Sequence, residues 1–338
     1  MSMSHTSDSK MMTQTTRELT YVQAITEAMK QELIRDPRVF IMGENIGQGE
    51  GAFGATTGLF KEFGPDRVRD TPLSETGFLG AGVGAAVTGL RPVVEIMFVD
   101  FVGVTMDPIL NQAAKLRYMS GGKIKVPLVV RTAWGGGMSA ASQHSQSLVS
   151  IITHIPGLKC VVPSTPYDAK GLLTSAIRQD DPIFFFEHKF LYGMKGPVPE
   201  EPYTIPIGEA DIKRAGEDVT VVAVGRMVQM ALEAAERLSK EGKSVEVVDP
   251  RSLSPLDEET ILASVKKTGR LVVVDESHPR CSVATDIAAL AATKDLEYLD
   301  APVRVVTGGH TPVPFSPALE GAFLPSTDRI VAAIKEIA

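Results

Sequence analysis

The sequence predicts an α/β protein built as two doubly wound parallel-sheet domains. Three observations carry this. Short, near-continuously apolar runs such as Val126–Arg131 and Val219–Val224 read as strands covered on both faces. Such runs alternate with helical patterns along most of the chain, as parallel βαβ units do. The alternation breaks at a proline-rich stretch and then restarts, and 338 residues exceed one ordinary core. The expected division is a polar leader at 1–17, a first domain at 18–192, a linker at 193–206 carrying Pro197, Pro199, Pro202 and Pro206, and a second domain at 207–338.

Thr20 and Gln23 form a capping-box pattern ahead of Val22, Ile25, Met29 and Leu33, so a helix starts there and ends near Asp36-Pro37. Val39–Met42 is a buried strand running into the glycine-rich loop Gly43 to Gly54. That loop lacks G-x-G-x-x-G spacing and a Walker lysine, and it reads as a site-lining loop, not a nucleotide cradle. Arg91 to Phe101 is a strand with a polar and aromatic tip, Val104–Tyr118 a helix, and Val126–Arg131 a strand leading into Trp134 and Gly135–Gly137. A helix to His154, a strand Leu158–Val162, a helix Asp168–Arg178 and a strand Ile183–Glu187 complete the first half. In the second half, strands begin at Val219, Val245, Leu271 and Val303, and helices at Met227, Leu256 and Val283.

Composition excludes several classes. Lys and Arg number 34 against 41 Asp and Glu, and the net charge of −7 offers nothing to nucleic acid or an anionic membrane. Cys160 and Cys281 fall in different expected domains, which is neither a disulfide framework nor a metal cluster, and both are expected to be buried. The polar leader has the pattern of neither a signal nor a transit peptide, so a cytoplasmic protein is expected.

The stretch Asp70 to Gly89 organises the chain. Pro72 and Ser74 turn into a helix start that Ser74 or Thr76 can cap, which puts Glu75 in the first turn where the helix dipole favours an acid. Gly77, Gly80 and Gly84, with Ala81 and Ala85, recur at helical spacing. Glycine costs roughly 1 kcal/mol against alanine inside a helix, so several of them point to close packing, including against another chain. His144, behind three glycines in a polar loop after a strand, is placed to move protons near neutral pH. The other histidines read as structural or interfacial, and none pairs with another at metal-ligand spacing.

Taken in order, Gly43-Glu44-Asn45, Thr71-Pro-Leu-Ser-Glu75, Gly89 to Phe101, Met119-Ser-Gly-Gly122, Gln143-His-Ser-Gln146 and Ser164 to Leu173 resemble one family. The chain resembles the β subunit of the thiamine-diphosphate-dependent first component of 2-oxo acid dehydrogenase complexes, from about residue 18 onward. The resemblance implies a thiamine-diphosphate pyrimidine-binding domain followed by a transketolase C-terminal-like domain. It implies that Glu75 exchanges a proton with the cofactor's aminopyrimidine, that Phe101 stacks on that ring, and that Glu44, Leu73, Ser74 and Met97 line it. Phe98, Val99 and Asp100 are implied on the substrate side. His144 is implied in proton transfer or passage of the acyl group to a lipoyl arm. Backbone carbonyls of Leu128, Ala176, Ile177, Gln179 and Asp181 are implied as ligands of a possible structural potassium.

The sequence has no Gly-Asp-Gly followed about thirty residues later by Asn, the pattern that holds magnesium and diphosphate in thiamine enzymes. The resemblance assigns that part to an α subunit, implying half of a shared site in an α2β2 heterotetramer, with a lipoyl-bearing acyltransferase as a further partner. Transketolase-type chains carry both parts in one polypeptide. Glu95 to Phe101 and Glu187-His-Lys look most like acetoin dehydrogenase β subunits, with pyruvate and branched-chain 2-oxo acid dehydrogenases as the alternatives; a catalytically silent structural subunit is the remaining one.

Overall fold

The computed structural model describes residues 16–338. The expected leader lies outside the described residues except for its last two. Those belong to β1 (Thr16–Thr20), which pairs antiparallel with β8 (Lys195–Pro199) inside the expected linker. In α1 (Tyr21–Arg35), Thr20 accepts from the Gln23 amide at 3.3 Å and the Gln23 side chain accepts from the Thr20 amide at 2.9 Å, so the capping box is formed as expected.

The first sheet joins β2 (Val39–Gly43), β3 (Val68–Asp70), β4 (Arg91–Phe98), β5 (Val129–Trp134), β6 (Lys159–Val161) and β7 (Ile183–His188). Their spatial order is β6-β7-β5-β4-β2-β3, all parallel. A seventh strand, β12 (Ser252–Ser254), arrives from the second half of the chain and closes the β6 edge antiparallel. The second sheet has the order β14-β13-β10-β11-β9. There β10 (Val219–Ala223), β11 (Val245–Asp249), β13 (Leu271–Val274) and β14 (Arg304–Val306) are parallel, and β9 (Asp211–Arg214) lies antiparallel at one edge.

Helices cover both faces of each sheet. On the first sheet, α1 and α6 (Pro166–Arg178) bury Ile25, Met29, Leu172 and Ile177 against Ile41, Val93, Val129 and Phe185. On the other face α3 (Glu75–Val87) packs Phe78, Leu79 and Val83 against Val94, Val130 and Phe184. That core continues without a break into Val222, Val248, Val273 and Ile287 of the second domain, so the two sheets share one apolar interior. α7 (Met227–Ser239) and α11 (Thr327–Lys335) close the far face. Within α3, Gly82 is required by the sheet: a Cβ there would stand 2.7 Å from Val94. Gly80 and Gly84 face the opposite way, with nothing within 4 Å of an added Cβ.

Several expectations are corrected. The helix expected over Val104–Tyr118 is a 3-10 segment at Val99–Thr105, a π segment at Pro108–Ala113 and a single α-turn at Leu116–Met119. Pro108 supplies no amide donor, and Val102, Val104 and Thr105 are β-branched beside Gly103, so regular α-helix is disfavoured. The strand expected at Val126–Arg131 runs from Val129 to Trp134 instead, because Val126 donates to the Asp180 carbonyl outside the sheet. Neither Ser74 nor Thr76 caps α3; their hydroxyls donate to the carbonyls of Pro72 and Val104. Cys281 is exposed, not buried, whereas Cys160 is buried as expected.

The domain junction holds a buried charge cluster. Lys213 lies 2.6 Å from Asp168 and 3.8 Å from Asp249, and Asp249 accepts from Ser164 and from the Arg251 amide. Burial first, and then the charge of Asp168, push the Asp249 carboxyl up from 3.8 to about 7. With the folded value raised, the contribution of Asp249 to stability is complete below its unfolded value and is lost as pH rises through about 7. Asp249→Asn keeps an oxygen for Arg251 and an amide for Ser164. Thermal unfolding at about pH 5 and about pH 8 should therefore show a smaller loss of stability in the variant than in the parent. An unchanged difference would remove Asp249 as its source.

Candidate active site

The parallel strands β2, β4, β5 and β7 end on one edge of the sheet, and the expected site residues gather beyond it, where ligands bind in open α/β sheets. Glu44 follows β2. The Thr71 amide donates to the Gly43 carbonyl at 2.9 Å, which holds the turn into α3 beside it and places Glu75 near Glu44. Asp70, at the end of β3, accepts from the amides of Gly47 at 2.6 Å and Gln48 at 3.2 Å. These amides of the glycine-rich loop are therefore held by a carboxylate of the chain itself, consistent with a site-lining role.

Glu44 is buried, and its Oε1 has no hydrogen-bond partner. Burial, then the neighbouring charge of Glu75, raise its carboxyl above the usual range, while the Ser74 amide acts in the opposite direction. Glu75 itself is half-buried at the first turn of α3. Two carboxyl groups thus face one another, one with an unused oxygen. Burial and the neighbouring carboxylate thus disfavour the charged form of Glu44.

The aromatic wall is formed by Phe98, Phe101 and His144. The His144 ring stands 4.7 Å from Phe98 and 5.5 Å from Phe101, edge-on to both, and the two phenylalanines are 6.1 Å apart. A register shift between Ile96 and Phe98, where β4 pairs with β5, turns this tip out of the regular pleat. Asp100 Oδ1 accepts from the backbone and side-chain nitrogens of Gln146, at 3.2 and 2.8 Å, which ties the β4 tip to the His144 loop. Its Oδ2 is buried without a partner. Lys189 donates to the His144 carbonyl, with its ammonium 5.3 Å from the Phe98 ring centre, and burial lowers its pKa.

Beneath this wall lies a buried ion cluster. Arg131 on β5 donates to Glu187 of β7 through Nε at 2.6 Å and Nη2 at 2.8 Å, and to Glu95 of β4 through Nη1 at 2.8 Å. Tyr192 donates to Glu187 at 2.9 Å. Burial disfavours the Arg131 charge, and the carboxylates of Glu187 and Glu95 more than offset it.

The second domain reaches the same edge. Glu276 and Glu320 are both buried and accept from backbone amides of the loop after β5: Gly136 to Glu276, Gly137 to Glu320 at 2.8 Å and Ser139 to Glu320 at 2.8 Å. His188 Nε2 lies 2.7 Å from Glu276. His188 Nδ1 accepts from the Phe190 amide at 3.2 Å, so a neutral ring carries its proton on Nε2 and donates to Glu276. His188, expected to be structural or interfacial, thus joins the end of β7 to Glu276 of the second domain. The sequence reading missed both glutamates. Glu276 had a signal, an acid at the end of the apolar run Leu271–Val274, whereas Glu320 sits in a short helix, α10 (Pro317–Phe323), with no motif around it.

The other expected residues divide. Met97 is half-buried at the strand tip. Leu73 is 84 % exposed and Ser74 is exposed, so both project away from the protein interior. Val99 is wholly buried in the core and supports the wall from behind. The residues expected around potassium lie together, and the carbonyls of Leu128, Ala176, Ile177 and Gln179 have partners. Arg91 donates to Ile177 at 2.8 Å and to Gln179, Gln179 donates to Ala176 at 3.2 Å, and Ile183 donates to Leu128 at 2.9 Å. The Asp181 side chain pairs with Arg117 and Lys159. No step below is routed through a cation there. Among the described residues, no group of three or more His, Cys, Asp or Glu side chains is arranged to hold a metal. A groove of about 1010 Å³ is lined by Met106, Leu110, Ile151, Leu256, Val283 and Ile287 and includes none of Glu44, Glu75, Phe101 or His144.

The sequence matches the family "Transketolase, pyrimidine binding domain" over residues 17–195 and "Transketolase, C-terminal domain" over residues 208–330. It is 55% identical over 333 residues to the acetoin:2,6-dichlorophenolindophenol oxidoreductase subunit beta of Bacillus subtilis, covering 95% of this chain and 97% of that one. It is 54% identical over 330 residues to the subunit of the same name from Cupriavidus necator, covering 95% and 97%. The 2-oxoisovalerate dehydrogenase subunit beta of Bacillus subtilis is 46% identical over 322 residues, covering 95% and 98%. A solved structure titled "Split gene transketolase, inactive beta4 tetramer" shares the fold, with a TM-score of 0.77 at 22% identity over 94% of this chain and 98% of that one. The fold and site therefore define a transketolase-type thiamine-diphosphate protein. The chain belongs to the β subunits of the thiamine-diphosphate-dependent first components of 2-oxo acid dehydrogenase complexes.

Arg131→Met would leave Glu95 and Glu187 buried without their cation. Removing one partner of a buried ion pair costs about 3–5 kcal/mol. Urea unfolding should show a loss of that order, and a change within about 0.5 kcal/mol, typical of surface sites, would show that the cluster is not needed.

Proposed function

We propose that this chain is the β subunit of an enzyme that cleaves the carbon–carbon bond of acetoin, releasing acetaldehyde and passing the acetyl unit to the lipoamide of an acyltransferase partner. The single observation that carries the site assignment is the Glu44–Glu75 pair, with its unused buried oxygen, beside the Phe98–Phe101–His144 wall. The substrate assignment rests on the two relatives at 55% and 54% identity, both named for acetoin, against 46% for the 2-oxoisovalerate and pyruvate relatives.

The residues present fit the aminopyrimidine half of thiamine diphosphate. Its N–H donors match the unpartnered Glu44 Oε1, and its flat ring matches the face of Phe101. When bound, the cofactor supplies an acidic ring carbon and an electron sink. Glu75 holds a proton at its carboxyl and exchanges it with a ring nitrogen. Glu44, buried and raised in pKa, limits how much negative charge gathers there. Met97 would border the ring from within, Leu73 and Ser74 would border it only from the exposed side that an α subunit would cover, and Phe98 and Asp100, backed by Val99, would bound the substrate and exclude water. His144 moves a proton at its imidazole during passage of the acetyl group to the lipoyl arm.

Magnesium and the diphosphate are assigned to an α subunit in an α2β2 assembly. The open face at Gly80 and Gly84, with Leu73 exposed at its start, is the surface proposed to meet that subunit. No described helix is long and apolar enough to cross a membrane.

Reconstituted αβ enzyme with a dye acceptor should turn over acetoin in preference to pyruvate and 2-oxoisovalerate. Preference for either oxo acid would overturn the substrate and keep the site. Glu75→Gln should fold and assemble but lose at least about 100-fold in turnover, because an amide cannot exchange the proton. Near-normal turnover would remove Glu75 from the mechanism. Tight thiamine diphosphate binding by this chain without an α subunit would defeat the shared site.

A further inference from the structure

The loop between β5 and α5 (Val149–Thr153) carries His144; Asp100 and Lys189 hold its His144 end, and its glycine end is held by other contacts. It closes on itself at a neck, where the Gly135 amide donates to the Gln146 carbonyl at 3.2 Å. Between the ends of the neck, four residues have positive φ: Gly135 at 88°, Gly137 at 97°, Ser139 at 52° and Ala141 at 61°. Ser139 and Ala141 hold the left-handed region without being glycine, a conformation that persists only where surrounding contacts impose it.

Those contacts come from the second domain. Glu320 Oε1 accepts from the Gly137 amide and Oε2 from the Ser139 amide, both at 2.8 Å, and the Ser139 hydroxyl lies 3.3 Å from Oε2. Ser142 donates to the Val313 carbonyl at 2.6 Å. Beside this, Arg226 stacks 3.6 Å from the Phe190 ring centre, and the charges of Glu276 and Glu320 act on it. Glu320 is buried, so its two oxygens have no water alternative. A carboxylate with each oxygen committed to a different amide of a strained loop fixes both the position and the orientation of that loop.

We propose that Glu320 is a positioning residue for His144: the carboxylate of the second domain sets the loop after β5 so that the imidazole stands against Phe98 and Phe101. Its chemical consequence rests on the reading of His144 as the residue that assists acetyl transfer. The second domain then takes a direct part in the first domain's site. Displacement of a reacting group by about 1 Å can cost about 100-fold in rate, so loss of the clasp is expected at the transfer step.

The test uses Glu320→Gln and Glu320→Asp in enzyme reconstituted with its α subunit. Glutamine offers one oxygen and turns an N–H donor toward the other amide, whereas aspartate keeps both oxygens. Hydrogen exchange should accelerate at the amides of Gly137 and Ser139 in Glu320→Gln and recover in part in Glu320→Asp. Acetyl transfer to lipoamide should slow by about 10- to 100-fold while the dye-linked rate is retained. His144→Ala should slow the same step, and adding Glu320→Gln to it should cause no further loss, because the two act in series. Unchanged exchange at the two amides would overturn the proposal. So would equal slowing of both rates, or multiplying effects in the double variant. If His144→Ala leaves transfer untouched while Glu320→Gln frees the loop, the reading of His144 fails and the clasp stands.

Discussion

Arg131 sits at the centre of the first sheet with no access to water, and the site depends on how its charge is neutralised. Its guanidinium spans three adjacent strands, with Glu95 of β4 on one side and Glu187 of β7 on the other. Bidentate pairing fixes the plane of the group as well as its position. The carboxylates lie close to the carboxyl ends of their strands, so the register of β4, β5 and β7 is pinned just below the edge where Phe98, Trp134 and His188 leave the sheet. An apolar core of the same volume could be as stable, but it would tolerate sliding that this cluster does not.

From that pinned edge, the site is built by tethers that cross between elements. Asp100 holds the Gln146 end of the His144 loop, Lys189 holds the His144 carbonyl, and Glu276 and Glu320 hold the glycine end. Asp100, Lys189 and Glu276 follow three different strands and Glu320 lies in α10, so His144 is placed by the sheet and by the second domain together. The continuous apolar interior between the two sheets makes this possible, because a hinge there would pull the glutamates off the loop. The β12 strand adds to this, since a segment of the second half of the chain completes the first sheet. The expected linker is not free chain: β8, inside it, pairs with β1, and the two sheets it connects share an apolar interior.

What was legible in the sequence follows from which interactions are local. The parallel strands were readable because each is buried on both faces and so apolar throughout, and Thr20 was readable because a capping box involves residues three apart. The position of Glu75 was readable from a turn running into a helix. The caps proposed for that helix failed because Ser74 and Thr76 found carbonyl acceptors, one of them 28 residues away. The segment after β4 failed similarly: apolar spacing suggested a helix, while Pro108 and the β-branched residues decided its backbone. Arg131, Glu276 and Glu320 carry no local signature. Their partners lie 36 to 183 residues away, and only the fold brings them together.

Two of the side chains that the fold leaves unsatisfied lie at the candidate site. A buried carboxylate oxygen without a partner is costly, and Glu44 Oε1 and Asp100 Oδ2 both lie at the strand edge beside the aromatic wall. On the same side, α3 presents Gly80 and Gly84 to open space, and Leu73 projects almost fully exposed. A chain selected for stability alone would fill the bare helix face and pair those oxygens. Under the proposed function these two features have one explanation: a ligand with N–H donors at the carboxylates and a second protein chain against the glycines would each cover a surface that this chain builds and braces but does not close.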